Sequence, residues 1–263
     1  MPKVAVPGGE ISYEEAGEGH PLVFVSGLNG VARYWQPQMA HFAERFRVIA
    51  YDQRGTGASD CNQRQFSVDG MAADLVALMD ALGIERAHIV GLSTGGAIGQ
   101  TLAIEQPQRV ERLAMASTWT HCDPWFRRLF EARRRMYELA GPELHAMFHP
   151  LFLYPPDYVN AHDAEIDEER RRSAGSAPPV EVSIGRIDAL LGFDRRAGLG
   201  RITARTLILA SDNDYITPCY YAEALGKAIP GAQLVILKGG GHSISKTRTA
   251  EFNRLVMEFL TAP

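Results

Sequence analysis

The 263-residue sequence lacks the usual marks of membrane, secreted and nucleic-acid-binding proteins. It has no run of about 20 apolar residues, so no membrane-spanning helix is expected. Residues 1–4 do not begin an apolar stretch, so we do not expect a signal peptide. The formal net charge is only −4, which predicts no strong electrostatic attraction to nucleic acid.

Cysteine is also scarce. The three cysteines, Cys61, Cys122 and Cys219, are an odd number and lie far apart in the chain. Without a signal peptide, this pattern indicates reduced thiols and a cytoplasmic location. The expected partner is a small molecule rather than a membrane or a nucleic acid, and a homodimer is one open alternative for the assembly.

Short apolar runs alternate with helical patterns over much of the chain, which is typical of a mostly parallel sheet with helices on both faces. The predicted strands cover residues 22–26, 47–51, 87–90, 113–116, 206–210 and 234–237, preceded by a hairpin of residues 4–6 and 11–13. The predicted helices cover residues 34–44, 68–82, 94–105, 219–228 and 250–260.

A central segment breaks this alternation. From about Trp119 to Gly200 the sequence is rich in arginine, proline and aromatic residues and shows helical patches but no strand. We therefore expect a helical cap, residues 119–199, inserted into an α/β core formed by residues 1–118 and 200–263. Open α/β sheets bind ligands at the carboxyl edge of the strands, so a cap there would enclose the ligand and exclude water.

Residues 91–95, GLSTG, fit the pattern G-x-S-x-G and stand between a predicted strand and a predicted helix. A sharp turn in this position would expose the hydroxyl of Ser93 above the sheet edge. The N-terminus of the following helix would favour negative charge developing there. The sequence therefore predicts Ser93 as a nucleophile.

A serine nucleophile needs a base and a group that orients it. His242 follows three glycines just after the last predicted strand, so we predict it as the base. Asp214, in the loop after strand 206–210, is the predicted acid, which gives the chain order Ser–Asp–His. Asp212 and Asp123 remain alternatives for the acid.

A serine hydrolase also needs hydrogen-bond donors for the negative charge that develops on the carbonyl oxygen. We predict that the backbone N–H groups of Leu28 and Thr94 form an oxyanion hole, since acyl transfer needs donors aimed at the carbonyl oxygen.

His145 and His149 have a spacing that zinc ligands can have, but no glutamate lies between them and Pro150 follows. We expect a helix surface there, and no metal or organic cofactor.

Together these residues resemble the α/β-hydrolase family over essentially the whole chain. Residues 51–59, YDQRGTGAS, look like the family's D-x-R-G-x-G-x-S loop. The family's usual His-Gly before the oxyanion loop is here Ser26-Gly27. The resemblance implies the α/β-hydrolase fold and a Ser-His-Asp hydrolase.

A closer resemblance, to the pyrimidine-utilisation protein D family, is carried by residues 34–38 (YWQPQ), 51–57 (YDQRGTG) and 150–155 (PLFLYP). That family implies hydrolysis of an aminoacrylate or a carbamate. Amide hydrolases of ring-cleavage products and 3-oxoadipate enol-lactonases are similar in layout. The resemblance implies a small, carboxylate-bearing substrate from a catabolic pathway. It favours cleavage of a C–N bond through an acyl-enzyme.

Arginine side chains of the cap suit such a substrate, because a guanidinium binds a carboxylate at two points. The cap arginines are Arg127, Arg128, Arg133, Arg134, Arg135, Arg170, Arg171, Arg172 and Arg186. Runs of arginine usually face solvent. Arg186 stands alone among apolar residues, so we predict that it faces the pocket and binds the substrate.

Other activities are compatible with the same sequence. An enol-lactonase or esterase, a hydrolase of C–C bonds, and a cofactor-free haloperoxidase would use the same fold. A ligand receptor that keeps the three residues is a more remote alternative. An aspartate stands at the Ser93 position in dehalogenases and epoxide hydrolases, so neither activity is expected.

Overall fold

The computed structural model describes residues 1–62, 65–174 and 177–263, with only the backbone of residues 173 and 174. Its strands form one sheet in the order β1-β2-β4-β3-β5-β6-β7-β8. They are β1 (Lys3–Val6), β2 (Gly9–Ala16), β3 (His20–Val25), β4 (Phe46–Tyr51), β5 (Ala87–Leu92), β6 (Val110–Ala116), β7 (Arg205–Ser211) and β8 (Gln233–Leu237). Strand β2 pairs antiparallel with β1 and β4, and the remaining pairs are parallel.

The helices of the described residues lie between these strands and after the last one. They are α1 (Gln36–Ala43), α2 (Val68–Ala81), α3 (Thr94–Glu105), α4 (Pro124–Leu153), α5 (Pro156–Ala161), α6 (Asp163–Ala174), α7 (Val180–Leu191), α8 (Tyr220–Ala228), α9 (Ile244–Thr247) and α10 (Thr249–Thr261). In the part of the chain described, none of them is long and apolar enough to cross a membrane.

Both faces of the sheet are buried. In β5, Ile89 belongs to one apolar cluster and Val90 to the other, because successive side chains of a strand point to opposite faces. Leu75 of α2 packs in the first cluster and Phe252 of α10 in the second. This two-sided burial explains why the central strands read as continuous apolar runs rather than alternating ones.

The α/β-hydrolase fold predicted from the sequence is confirmed, with each predicted strand present in the sheet. The helix predicted over residues 34–44 begins later in the structure than in the prediction. A 3-10 turn covers Ala32–Trp35, and α1 begins only at Gln36. Pro37 explains this boundary, because proline is favoured in the first turn of a helix, where its missing N–H has no partner to lose.

Helices α4–α7 occupy the chain between β6 and β7, and we call them the inserted helices. Helix α4 is interrupted at Gly141, which has φ 72° and ψ −171°. Pro142 follows, and the residue before a proline is disfavoured in the helical conformation. The interruption turns the second half of α4 in a new direction. Both halves contribute side chains to one cavity.

Candidate active site

Ser93 occupies the turn between β5 and α3. Its backbone has φ 54° and ψ −115°, a sparsely populated conformation for a residue with a side chain. Hydrogen bonds hold it there: its N–H donates to the carbonyl of Ala116 (2.9 Å) and its carbonyl accepts from Thr118 Oγ1 (2.8 Å). A Cβ at Gly95 would stand 1.9 Å from the Val25 carbonyl oxygen, so the turn requires glycine.

His242 lies in the loop after β8 and contacts Asp214, which lies in the loop after β7. Its Nδ1 is 2.9 Å and 3.1 Å from the two carboxylate oxygens, and both side chains are buried. The Asp214 carboxylate also accepts bonds from the N–H groups of Ile216 (2.8 Å) and Thr217 (2.9 Å). A carboxylate at Nδ1 favours the tautomer with its proton there, which leaves Nε2 as the acceptor.

The backbone of the His242 loop is anchored to the inserted helices. The carbonyl of Leu153, the last residue of α4, accepts bonds from the N–H groups of His242 (2.9 Å) and Ser243 (3.2 Å). Gly241 allows this approach, because its φ is 66° and a Cβ there would stand 2.8 Å from the same carbonyl oxygen. The position of the imidazole therefore depends on α4 as well as on the sheet.

Ser93 and His242 line one cavity of about 260 Å³. Among the described residues, no hydrogen bond joins the Ser93 hydroxyl to the imidazole. Such bonds are often long before a substrate is bound. The structure thus brings together the three residues predicted as nucleophile, base and acid, with the base and acid in direct contact.

The two alternative acids have other partners. Asp212 accepts a bond from the N–H of Gly239 (2.8 Å), and its side chain is 39% exposed. Asp123 caps the N-terminus of α4 by accepting from the N–H of Phe126 (2.8 Å), and it also accepts from the Tyr220 hydroxyl (2.6 Å). The geometry favours Asp214 over both.

The predicted oxyanion donors lie beside Ser93. Thr94 follows it in the chain, and Leu28 lines the same cavity. Neither backbone N–H donates to another group of the described protein. Gly27 borders the nucleophile, since a Cβ at that position would stand 3.4 Å from Ser93 Cβ. Both N–H groups are therefore without a partner in the described protein.

The loop after β4 contacts residues 26–32, which contain Leu28 and which we call the oxyanion segment. The Gln53 side chain donates to the carbonyl of Ser26 (2.8 Å), and the Thr56 hydroxyl donates to the carbonyl of Gly30 (2.6 Å). Asp52 accepts from the N–H of Ala32 (2.8 Å). These contacts give the D-x-R-G-x-G-x-S loop a structural role.

The inserted helices supply the opposite wall of the cavity. Arg133, Tyr137, His145 and His149 of α4 line it, and Tyr137 stacks on His145 with ring centroids 4.2 Å apart. Burial, followed by the charge of Arg133, lowers the pKa of His145 to about 2 and that of His149 to about 3. Both imidazoles are neutral at pH 7. Within the described residues, no group of three histidine, cysteine or acidic side chains is placed to hold a metal ion.

Arg186, predicted to bind the substrate, does not line this cavity. It is fully buried, where its guanidinium donates to Gln53 Oε1 and to the carbonyl of Arg54 (3.0 Å). It also lies over the Phe66 ring, with Cζ 5.5 Å from the centroid. In the structure Arg186 therefore joins α7 to the loop after β4.

Two arginines line the cavity, Arg133 and Arg170, and sequence reasoning missed both because each belongs to a run of three arginines expected to face solvent. A signal was present in the spacing. Phe126, Phe130, Arg133 and Tyr137 follow the 4-3-4 pattern of one helical face, and all four side chains are buried. Arg133 stands at a position where this pattern of a buried helix face predicts an apolar residue.

Comparisons with known proteins agree with this architecture. The alpha/beta hydrolase fold family model matches residues 20–249. Proteins provisionally named carbamate hydrolase RutD are 35% identical in Azorhizobium caulinodans and 37% identical in Caulobacter segnis. These alignments cover 95% of this chain in each case, and 94% and 96% of the relatives. The structure of the enol-lactonase from Burkholderia xenovorans LB400 is similar, with a TM-score of 0.92 at 27% identity, covering 99% of this chain and 100% of that one. The chain belongs to the α/β-hydrolase fold family and is a hydrolase enzyme.

Proposed function

We propose that the protein is a serine hydrolase that cleaves a C–N bond in a small, carboxylate-bearing molecule. The bond would be that of an amide, an enamide or a carbamate-like group. The observation that carries this proposal is the contact of His242 with Asp214 at the wall of a cavity that Ser93 also lines. Residues 119–199 act as a cap that encloses the substrate.

The reaction begins with proton transfer. His242, oriented by Asp214, takes the proton of the Ser93 hydroxyl as Oγ forms a bond to the carbonyl carbon. The carbonyl oxygen gains negative charge and accepts bonds from the N–H groups of Leu28 and Thr94. The C–N bond then breaks, and His242 gives its proton to the leaving nitrogen.

Water completes the cycle. His242 takes a proton from a water molecule, whose oxygen attacks the carbonyl carbon of the acyl-enzyme. The bond to Ser93 Oγ breaks, and His242 returns the proton to that oxygen. The products are the acid and the amine, and the enzyme is regenerated without a cofactor.

Two observations support a small substrate with a C–N bond. The cavity holds about 260 Å³, slightly below the usual range for drug-sized ligands. The relatives with 35% and 37% identity carry the name carbamate hydrolase, and their alignments extend over nearly the whole chain. We place the substrate among short amide or carbamate acids on these grounds.

An enol-lactonase or esterase is the second candidate. The similar fold of an enol-lactonase, aligned over 99% of the chain, favours it. Both reactions begin with the same attack by Ser93 and differ in the leaving atom, nitrogen or oxygen. A screen of short amide, enamide and carbamate acids against enol-lactones and esters, compared by kcat/KM, distinguishes them.

The test of the serine mechanism is Ser93→Ala. We expect turnover of the best substrate to fall by at least about 10³-fold, and labelling by a fluorophosphonate to be lost. Ser67→Ala is the control, because Ser67 caps the exposed N-terminus of α2. Near-normal turnover by Ser93→Ala would refute the proposal, and labelling of the wild type without turnover of any compound would favour a receptor.

A further inference from the structure

Arg133 is a buried charge without an acidic partner. Its side chain is 2% exposed and lines the cavity, yet no carboxylate of the described residues pairs with it. The other cavity-lining charges differ: Arg170 pairs with Asp167 (2.9 Å), and Glu169 pairs with Lys246. A buried, unpaired ion is unfavourable, which makes Arg133 the exception among these groups.

The neighbours of Arg133 hold it without neutralising it. Its Nε and Nη2 donate to Nε2 of His145 at 3.3 Å and 3.2 Å, and that imidazole is neutral. The guanidinium carbon lies 4.9 Å from the Phe130 ring centroid and 5.6 Å from that of Phe152. Burial lowers the pKa of Arg133 to about 10, which still lies above neutral pH. The group therefore keeps its positive charge.

Part of the guanidinium has no partner. Among the described residues, Nη1 of Arg133 makes no hydrogen bond, whereas Arg186 uses its two terminal nitrogens on Gln53 and Arg54. A planar guanidinium with free N–H groups is suited to a carboxylate oxygen pair. Arg133 combines a positive charge and an unbonded terminal nitrogen with a place on the cavity wall, and Arg186 has no such place.

Arg133 is also linked to the oxyanion segment. His145, which accepts its two bonds, stacks on Tyr137, and the Tyr137 hydroxyl accepts from Asn29 Nδ2 at 3.2 Å. Asn29 follows Leu28 directly. This series of contacts connects the guanidinium to the residue that follows Leu28, a predicted oxyanion donor.

We propose that Arg133 binds the carboxylate of the substrate and sets the preference for acids. This inference rests on the proposed function, because it assigns the acid-binding residue of the same cavity. The substrate would lie with its carboxylate on Arg133 and its scissile carbonyl oxygen at the N–H groups of Leu28 and Thr94.

Calorimetric binding of two small probes tests the assignment without requiring turnover. Succinate resembles an acid product with a second carboxylate, and butanamide is an uncharged molecule of similar length. We expect the wild type to bind succinate at least about tenfold more tightly than butanamide. Arg133→Met should lose this preference, since truncating one partner of a buried charge pair costs about tenfold or more in affinity. Arg186→Met, the matched buried arginine, should keep it.

A kinetic pair supplies the second readout. For monomethyl succinate relative to methyl butanoate, Arg133→Met should lower the ratio of kcat/KM values, because only the first ester has a carboxylate for the guanidinium to bind. Arg133→Lys keeps the positive charge but loses the two parallel N–H donors of the guanidinium. Its ratio of kcat/KM values should therefore fall between those of the wild type and Arg133→Met.

Three outcomes would overturn the assignment: no succinate preference in the wild type, an unchanged preference in folded Arg133→Met, or loss of the preference in Arg186→Met alone. If neither Arg133 variant folds by circular dichroism, a wild type without a succinate preference still overturns the assignment, and a preference that survives in Arg186→Met supports it. Failure of the proposed function appears separately, as turnover that survives Ser93→Ala.

Discussion

Asp214 Oδ2 and His242 Nδ1 lie 2.9 Å apart although 28 positions separate the two residues in the chain. The sheet accounts for this. Strands β7 and β8 are parallel neighbours, with Ser211 opposite Leu237, so the loops that follow them leave the same edge side by side. One loop carries the carboxylate and the other the imidazole.

Asp214→Asn should lower kcat by about 10⁴-fold with little change in fold. An amide of the same shape favours the wrong tautomer of His242 and cannot stabilise its charged form. Steady-state kinetics on the best substrate give the measurement.

Asp212→Asn is the matched control for this substitution. Asp212 bonds the Gly239 N–H and does not contact the imidazole, so we expect activity within a few fold of the wild type. A large loss in Asp212→Asn together with normal activity in Asp214→Asn would exchange the two assignments.

Gly95→Ala should destabilise the protein by more than about 3 kcal/mol. The added Cβ would stand 1.9 Å from the Val25 carbonyl oxygen, and a backbone atom cannot rotate away as a side chain can. Urea unfolding followed by circular dichroism measures the change in the free energy of unfolding.

Gly200→Ala provides the comparison for the glycine substitution. The nearest atom to its added Cβ is 4.0 Å away, and the residue lies in a 3-10 helix. We expect a change within about 1 kcal/mol, of either sign. Equal effects at the two positions would show that close packing at Gly95 is not the cause.

The free energy of unfolding should decrease as the pH falls from about 6.5 to 5. Burial lowers the pKa of His88 to about 3 and that of His145 to about 2, so both stay neutral in the folded protein while the unfolded chain takes up protons. Each residue contributes up to about 1.4 kcal/mol per pH unit. Urea unfolding at several pH values measures the slope of the free energy of unfolding against pH. His88→Leu should reduce this slope by the amount that corresponds to one proton. A free energy of unfolding that does not change between pH 6.5 and 5 would contradict the prediction that these imidazoles stay neutral in the folded protein.

Local patterns were sufficient to predict the sheet and the position of Ser93. A motif of five residues between a strand and a helix specifies the turn, because the glycine at position 95 and the flanking elements are all neighbours in the chain. The loop positions of Asp214 and His242 were likewise predictable, since parallel strands end at the same edge of a sheet.

The wall formed by the inserted helices was harder to predict. Arg186 is isolated among apolar residues because it is buried beneath the loop that contains Gln53, not because it faces the cavity. Arg133 stands in a run of charges, yet helical periodicity turns it inward while Arg134 binds Glu138 on the outside. Which arginine meets the cavity depends on how α4 and α7 pack, which no single stretch of sequence specifies. The homodimer and the cytoplasmic location stay predictions.

The two hydrogen bonds that the Leu153 carbonyl accepts from the N–H groups of His242 and Ser243 have a consequence for engineering this enzyme. The segment that we propose as the cap therefore also holds the backbone of the predicted base, His242. Replacing residues 119–199 with the segment of another family member would change the cavity wall and the support of His242 together. A chimera therefore needs a carbonyl acceptor at the position of Leu153 before a change in its rates can be attributed to a change in specificity.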